Sequence, residues 1–136
     1  MRDDELRRTL SDANPWWAAA AIGRDPTTWQ DANRTLRDRR QFDLGYRSTI
    51  LSDIATGTPD GSLVILTGPR RAGKTVALLD AALSLCGCRS IDPRQVIHVP
   101  CDGMGARDLR RVLTLARVLT RSVDLEQPQR RVWLFD

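Results

Sequence analysis

Lysine is almost missing from this chain. Of 136 residues one is lysine and 20 are arginine; histidine and tyrosine occur once each, phenylalanine twice and cysteine three times. A chain that carries its positive charge on arginine yet keeps lysine at one place points to a task there that a planar guanidinium does not serve. The cysteines, Cys86, Cys88 and Cys101, are odd in number and form no C-x-x-C pair. With His98 they make a poor zinc set, so they read as reduced core thiols. Long apolar runs are absent too. Nothing approaches the ~18 residues of a membrane span, and the start Met1-Arg2-Asp3-Asp4-Glu5 is unlike a signal peptide. The expectation is a soluble, cytoplasmic protein with no membrane partner. Its 41% hydrophobic residues, in a length typical of one domain, suffice for a modest core.

The single lysine, Lys74, lies in Gly68-Pro69-Arg70-Arg71-Ala72-Gly73-Lys74-Thr75, which runs on into Val76. That string fits G-x-x-x-x-G-K-[ST], the Walker A phosphate-binding loop. An ammonium is a compact point charge that reaches between β- and γ-phosphates, where a guanidinium fork is too wide. Gly68 and Gly73 are expected to take backbone conformations closed to other residues and to let the chain approach the phosphates. The helix starting near Lys74 leaves its first amides unpaired and adds the positive end of its dipole. Thr75 would offer its hydroxyl to Mg²⁺. The expected nucleotide-binding set is therefore Gly68, Pro69, Arg70, Arg71, Ala72, Gly73, Lys74, Thr75 and Val76. The plain alternative is a glycine turn between a strand and a helix. Context favours the site: Ser62-Leu63-Val64-Ile65-Leu66-Thr67 before it reads as a buried strand. After it, Val76, Leu79, Leu83 and Cys86 recur at helical spacing, and Gly87 supplies a stop.

The far end carries a second element, Arg130-Arg131-Val132-Trp133-Leu134-Phe135-Asp136: a basic pair, an apolar strand and an aspartate. This is the pattern of Walker B, in which the carboxylate at the strand end holds Mg²⁺ directly or through water. A core strand with a solvated terminal acid is the bland reading, and the Walker A match tips the balance toward Asp136 as a metal ligand beside Thr75. No catalytic residue is assigned.

Between the motifs, Gln95 to Asp102 reads as another short strand. His98 on it is expected to be a packing or surface residue. Asp102 lies where ligands of open α/β sheets bind, although a cap for the next helix is the preferred reading. That helix is expected over 106–120, with Leu109, Val112, Leu113, Ala116 and Leu119 on its apolar face. Net charge is +4 with a pI near 9.6. Arg34, Arg37, Arg39, Arg40 and Arg47 form the densest basic region, interspersed with Asp31, Asp38 and Asp43. Aromatic stacking platforms are not evident, so a solvated or partner-facing surface is preferred over nucleic acid, which stays possible. Residues 1–55 read as a helical extension, with a short helix over 4–10 and another from Pro26-Thr27-Thr28-Trp29 to about Arg39. Asn14-Pro15-Trp16-Trp17 is a large apolar anchor for packing that extension onto the core.

The Asn-Pro-Trp-Trp segment, the Gly-Pro-Arg-Arg-Ala-Gly-Lys-Thr loop and the Val-Trp-Leu-Phe-Asp ending together resemble the amino-terminal part of bacterial and archaeal AAA-family P-loop ATPases. The resemblance implies an α/β fold, a partial parallel sheet flanked by helices, with residues 56–136 as the nucleotide-binding domain. It also implies ATP and Mg²⁺ as cofactors, with Lys74 and Thr75 on phosphate and magnesium and Asp136 on magnesium. The family continues past the position of Asp136 with a glutamate that polarises water, so nucleotide binding is better supported than turnover. The family's sheet also places a later strand between those leading to Walker A and Walker B, so a truncated fragment, incompletely folded alone or completed by another chain, is the expectation, with a protein partner or homo-oligomer possible. Two other functions share parts of the pattern: a nucleotide or small-molecule kinase, and a basic nucleic-acid-binding regulatory module.

Overall fold

Leu6 and Leu10, one helical turn apart, put a single apolar stripe on α1 (Asp3–Ala13), and both are fully buried. Asp3, Asp4 and Glu5 crowd its first turn, where the helix dipole favours negative charge. The computed structural model describes residues 1–43, 45, 61, 63–120 and 131–136. Within them α1 is followed by α2 (Trp16–Ala21), a 3-10 turn (Thr28–Asp31) and α3 (Arg34–Gln41). Next come α4 (Lys74–Cys86), a 3-10 turn (Pro93–Gln95), β1 (Val96–Val99), α5 (Ala106–Leu119) and β2 (Val132–Phe135). β1 and β2 pair in parallel, with Val96 opposite Val132 and Val99 opposite Phe135. This is a partial α/β sheet flanked by helices, as the sequence predicts.

β1 is the centre of the molecule. All four of its residues are buried. Along a strand, successive residues turn their N–H and C=O groups to opposite edges, so each edge must be closed separately. One edge pairs with β2, and the ladder runs past the strand ends: Asp136 N–H donates to the Val99 carbonyl (3.0 Å) and accepts from Cys101 N–H (2.7 Å) through its own carbonyl. The other edge has no strand among the described residues. The Asn14 side chain closes it, its Oδ1 accepting from His98 N–H (2.7 Å) and its Nδ2 donating to the His98 carbonyl (2.8 Å). One carboxamide thus reproduces a pair of ladder bonds. Two residues along the same edge, the indole N–H groups of Trp16 and Trp17 both donate to the Val96 carbonyl (2.9 and 3.0 Å). Pro15, with φ −62°, starts α2 so that both indoles arrive together. Trp16 has no exposed surface and tilts against Trp29, ring centroids 5.0 Å apart. The packing role expected of Asn-Pro-Trp-Trp is present, and hydrogen bonding is half of it.

The helical segment joins the same core as the sheet. α1 packs on α5 and β1, and α3 on α4. Arg111 on α5 bonds Asp3, Asp108 (3.0 Å) and the Met1 carbonyl (2.7 Å). Arg39 on α3 pairs with Asp80 on α4, both mostly buried. Arg40 bonds Asp31 (2.9 Å) and the Gln30 carbonyl (3.2 Å). Arg39 and Arg40 of the dense basic region are thus engaged by the protein's own groups; Arg47 and the expected domain boundary at residues 55/56 lie outside the described residues.

The structure corrects several sequence expectations. Leu63 to Thr67 form no strand, and Leu63, Val64 and Ile65 are exposed. A buried apolar strand needs a ladder neighbour, and none of the described residues supplies one. The single helix expected from Pro26 to Arg39 breaks in two because Asn33 caps a new start, its Oδ1 accepting from Leu36 N–H (3.1 Å). On α5 Val112 and Ala116 are buried as expected, but the third buried residue is Leu115, while Leu113 is 48% exposed. No described helix is long and apolar enough to cross a membrane.

Removing the Asn14 carboxamide strands a buried N–H and a buried C=O on His98. Asn14→Ala is expected to lower unfolding free energy by about 2–4 kcal/mol, read from urea denaturation. Trp16→Phe, with the Trp17 donor still on Val96, is expected to cost less.

Candidate nucleotide site

α4 is held by its buried face, Leu79, Ala82, Leu85 and Cys86, so its first turn is anchored although the preceding loop is exposed. Gly73 caps it with φ +84° and ψ 18°, a left-handed conformation that disfavours any Cβ. Arg71 shares that region at φ +65°, which is uncommon for a residue with a side chain. Gly68 differs from expectation: its φ is not left-handed, and an added Cβ would meet Ala72 Cβ only at an ordinary 3.6 Å. Of the two glycines, backbone geometry demands only Gly73.

Ala77 N–H makes the first helical bond, to the Gly73 carbonyl at 2.9 Å. The amides of Lys74, Thr75 and Val76 therefore lie outside the helix's own ladder, and Gly73 brings no side-chain cap. Such a turn attracts an anion. Ahead of it, Pro69, Arg70, Arg71 and Ala72 form a tight turn in which Ala72 N–H donates to the Pro69 carbonyl (3.3 Å). The Lys74 ammonium donates to the carbonyls of Gly68 (2.9 Å) and Pro69 (2.7 Å). The loop's one ammonium thus sits against the inside of its own turn.

The second half of the site arrives from 61 residues away. Thr75 Oγ1 donates to Asp136 Oδ1 at 3.1 Å. The two residues expected to serve Mg²⁺ are side by side, brought there because α4 and β2 both dock on β1. A hydroxyl and a carboxylate at a helix N-terminus are hard oxygen donors of the kind that magnesium takes together with phosphate oxygens. These residues fit the metal.

Behind Asp136 stands His98, for which the sequence predicts only a packing or surface place. Its Nε2 lies 4.0 Å from Asp136 Oδ2. Burial pushes the imidazole below its ordinary pKa, against the opposing pull of the Ala13 main chain and the Asp136 carboxylate. Asp102 is not the helix cap expected of it. It is exposed in a turn, and α5 is capped instead at Gly105, whose N–H donates to Asp108 Oδ2 (3.2 Å). Cys86 is buried, its thiol pushed up to about 12 by desolvation, whereas Cys88 contacts Ser90 Oγ at 3.0 Å and Cys101 Sγ approaches the Val99 carbonyl at 3.5 Å. Among the described residues no group of three or more His, Cys, Asp or Glu side chains could hold a metal ion.

A glycine loop entering a helix, with a strand-end aspartate against the helix's first hydroxyl, defines the α/β P-loop class. Comparison with known families matches residues 41–135 to the AAA domain. The chain belongs to that family and is an AAA-type P-loop ATPase module. It is similar to the putative DNA 3′-5′ helicase Rad25 of Halobacterium salinarum, with 30% identity over 96 residues. That alignment covers 64% of this chain and 16% of the relative, so the chain spans a small part of that protein's length. No solved structure matches.

The left-handed cap gives a direct test. Gly73→Ala is expected to destabilise the fold by about 1–2 kcal/mol, the cost of a Cβ in that conformation. Gly68→Ala should cost clearly less in the same thermal-melt comparison.

Proposed function

We propose that this chain binds Mg-ATP as the nucleotide-binding module of an AAA-type ATPase, residues 56–136 forming the site and residues 1–55 bracing it. One observation carries the reading: Thr75 and Asp136, distant in sequence, meet in a hydrogen bond beside the only lysine. Lys74 would leave the Gly68 and Pro69 carbonyls to take the β- and γ-phosphates. The loop from Gly68 to Val76 would hold the polyphosphate through main-chain amides, with Arg70 and Arg71 adding positive charge at its rim. Thr75 and Asp136 would hold Mg²⁺, which when bound supplies charge neutralisation for the phosphates. The proposal covers binding and assigns no base for water attack.

The test is calorimetric titration of ATP with and without Mg²⁺. The folded wild type is expected to bind ATP with Mg²⁺. Lys74→Ala should lose roughly 3 kcal/mol, on the order of a hundredfold in affinity, and Asp136→Asn should abolish most of the dependence on metal. Absence of any heat with a folded wild type would sink the proposal. The relative's name gives a second reading, DNA binding. It is weakened by the carboxylate partners of Arg39 and Arg40, and would be supported by DNA affinity that falls steeply with salt and survives Lys74→Ala.

A further inference from the structure

We infer that His98 is a positioning residue for Asp136, its ring N–H holding Oδ2 so that Oδ1, once released by Thr75, is presented to the metal. The inference deepens the proposed function and rests on it where magnesium is concerned.

His98 is 8% exposed, and neither ring nitrogen completes a hydrogen bond, although the Ala13 main chain and the Asp136 carboxylate both act on the ring. A polar ring stranded in this way costs free energy that an aliphatic residue would avoid, and its neighbours on β1, Val96, Ile97 and Val99, are all aliphatic. The main chain cannot carry the ring away, because Asn14 bonds both the N–H and the C=O of His98. Asp136 is equally constrained: its N–H and C=O are committed to Val99 and Cys101. Its carboxylate therefore moves by side-chain torsion alone, with Oδ1 on Thr75 and Oδ2 toward the imidazole 4.0 Å away. A hydrogen bond forms at about 2.7–3.2 Å. The remaining gap is within the reach of such a rotation when Thr75 releases Oδ1. Carboxylates that ligate metals are ordinarily fixed by a hydrogen bond on the oxygen away from the metal, and loss of that partner typically weakens metal binding by about 10–100-fold.

Magnesium titrations at fixed ATP test this on the wild type, His98→Ala, His98→Gln, Asp136→Asn and the double variant His98→Ala/Asp136→Asn. His98→Ala is expected to raise the half-saturating Mg²⁺ about tenfold while leaving metal-free ATP affinity unchanged. His98→Gln, whose amide carries an N–H at similar reach, should recover most of the loss. In the Asp136→Asn background His98→Ala should add nothing. Since His98 is the only histidine, its Nε2 resonance is unambiguous in a ¹⁵N spectrum, and Asp136→Asn should move it even without nucleotide. An unchanged magnesium midpoint in an ATP-binding His98→Ala protein would overturn the inference, as would a His98→Gln variant as impaired as His98→Ala. If the wild type binds no ATP, the proposed function fails, and the Nε2 resonance still decides: a signal indifferent to Asp136→Asn overturns the positioning role.

Discussion

The two edges of β1 set the constraint that everything else obeys. A four-residue strand buried on all sides carries main-chain groups that water cannot reach, so each must find a partner inside the protein. Parity divides the work. Ile97 and Val99 face β2, while Val96 and His98 face the Asn-Pro-Trp-Trp segment, which answers with three side chains in place of a strand. Asparagine suits His98 because its amide offers one donor and one acceptor at the spacing of a peptide group. Tryptophan suits Val96 because each indole N–H reaches the carbonyl while the ring fills the space beyond it. The amino-terminal helices are thus a working edge of the sheet.

That arrangement delivers the site. β2 can end at Asp136 in one place only, because its register on β1 is set and the ladder continues through Val99 and Cys101. α4 lies against β1 by its buried face, which fixes where its first turn, with Thr75, must stand. The Thr75–Asp136 hydrogen bond is the consequence of two separate dockings on one strand. The loop between Gly68 and Gly73 contributes little to stability, being exposed throughout, and stores mild strain at Arg71. Its shape follows from the turn at Pro69 and from the ammonium of Lys74 drawing two carbonyls together.

What was legible in the sequence is what local chemistry specifies. α4 runs from Lys74 to Cys86 with Gly73 before it and Gly87 after it, because periodicity and glycine punctuation are both local signals. β2 and the placement of Asp136 at its end were readable from an apolar run between arginines and an acid. The readings that failed depend on distant partners. Leu63 to Leu66 have the composition of a buried strand, but composition does not supply the neighbouring ladder that makes a strand. Leu113 and Leu115 lie two residues apart on α5, and the position of α1, which packs on this helix, is not a local signal. Asn14 meets His98 across 84 residues, a separation at which no spacing rule operates. A signal did exist: a polar residue wedged between a helix and Pro-Trp-Trp is badly placed for solvent, and a buried amide implies a main-chain partner.

The scarcity of lysine gains meaning from the same geometry. Arginine serves this chain where two or more acceptors lie in a plane or at several distances: Arg111 spans Asp3, Asp108 and Met1, and Arg94 clasps both oxygens of Asp92. Those are bracing roles, and a rigid fork loses less freedom in them than a flexible ammonium would. Lys74 faces the opposite requirement. Its two acceptors are the carbonyls of adjacent residues, Gly68 and Pro69, on the inner side of a tight turn. A tetrahedral group with freely rotating donors can exchange such carbonyls for other oxygens without displacing the turn, whereas a guanidinium would have to force it open. Arg94 and Arg111 thus stand where several fixed partners are held at once, while the single lysine holds two adjacent carbonyls with one compact group.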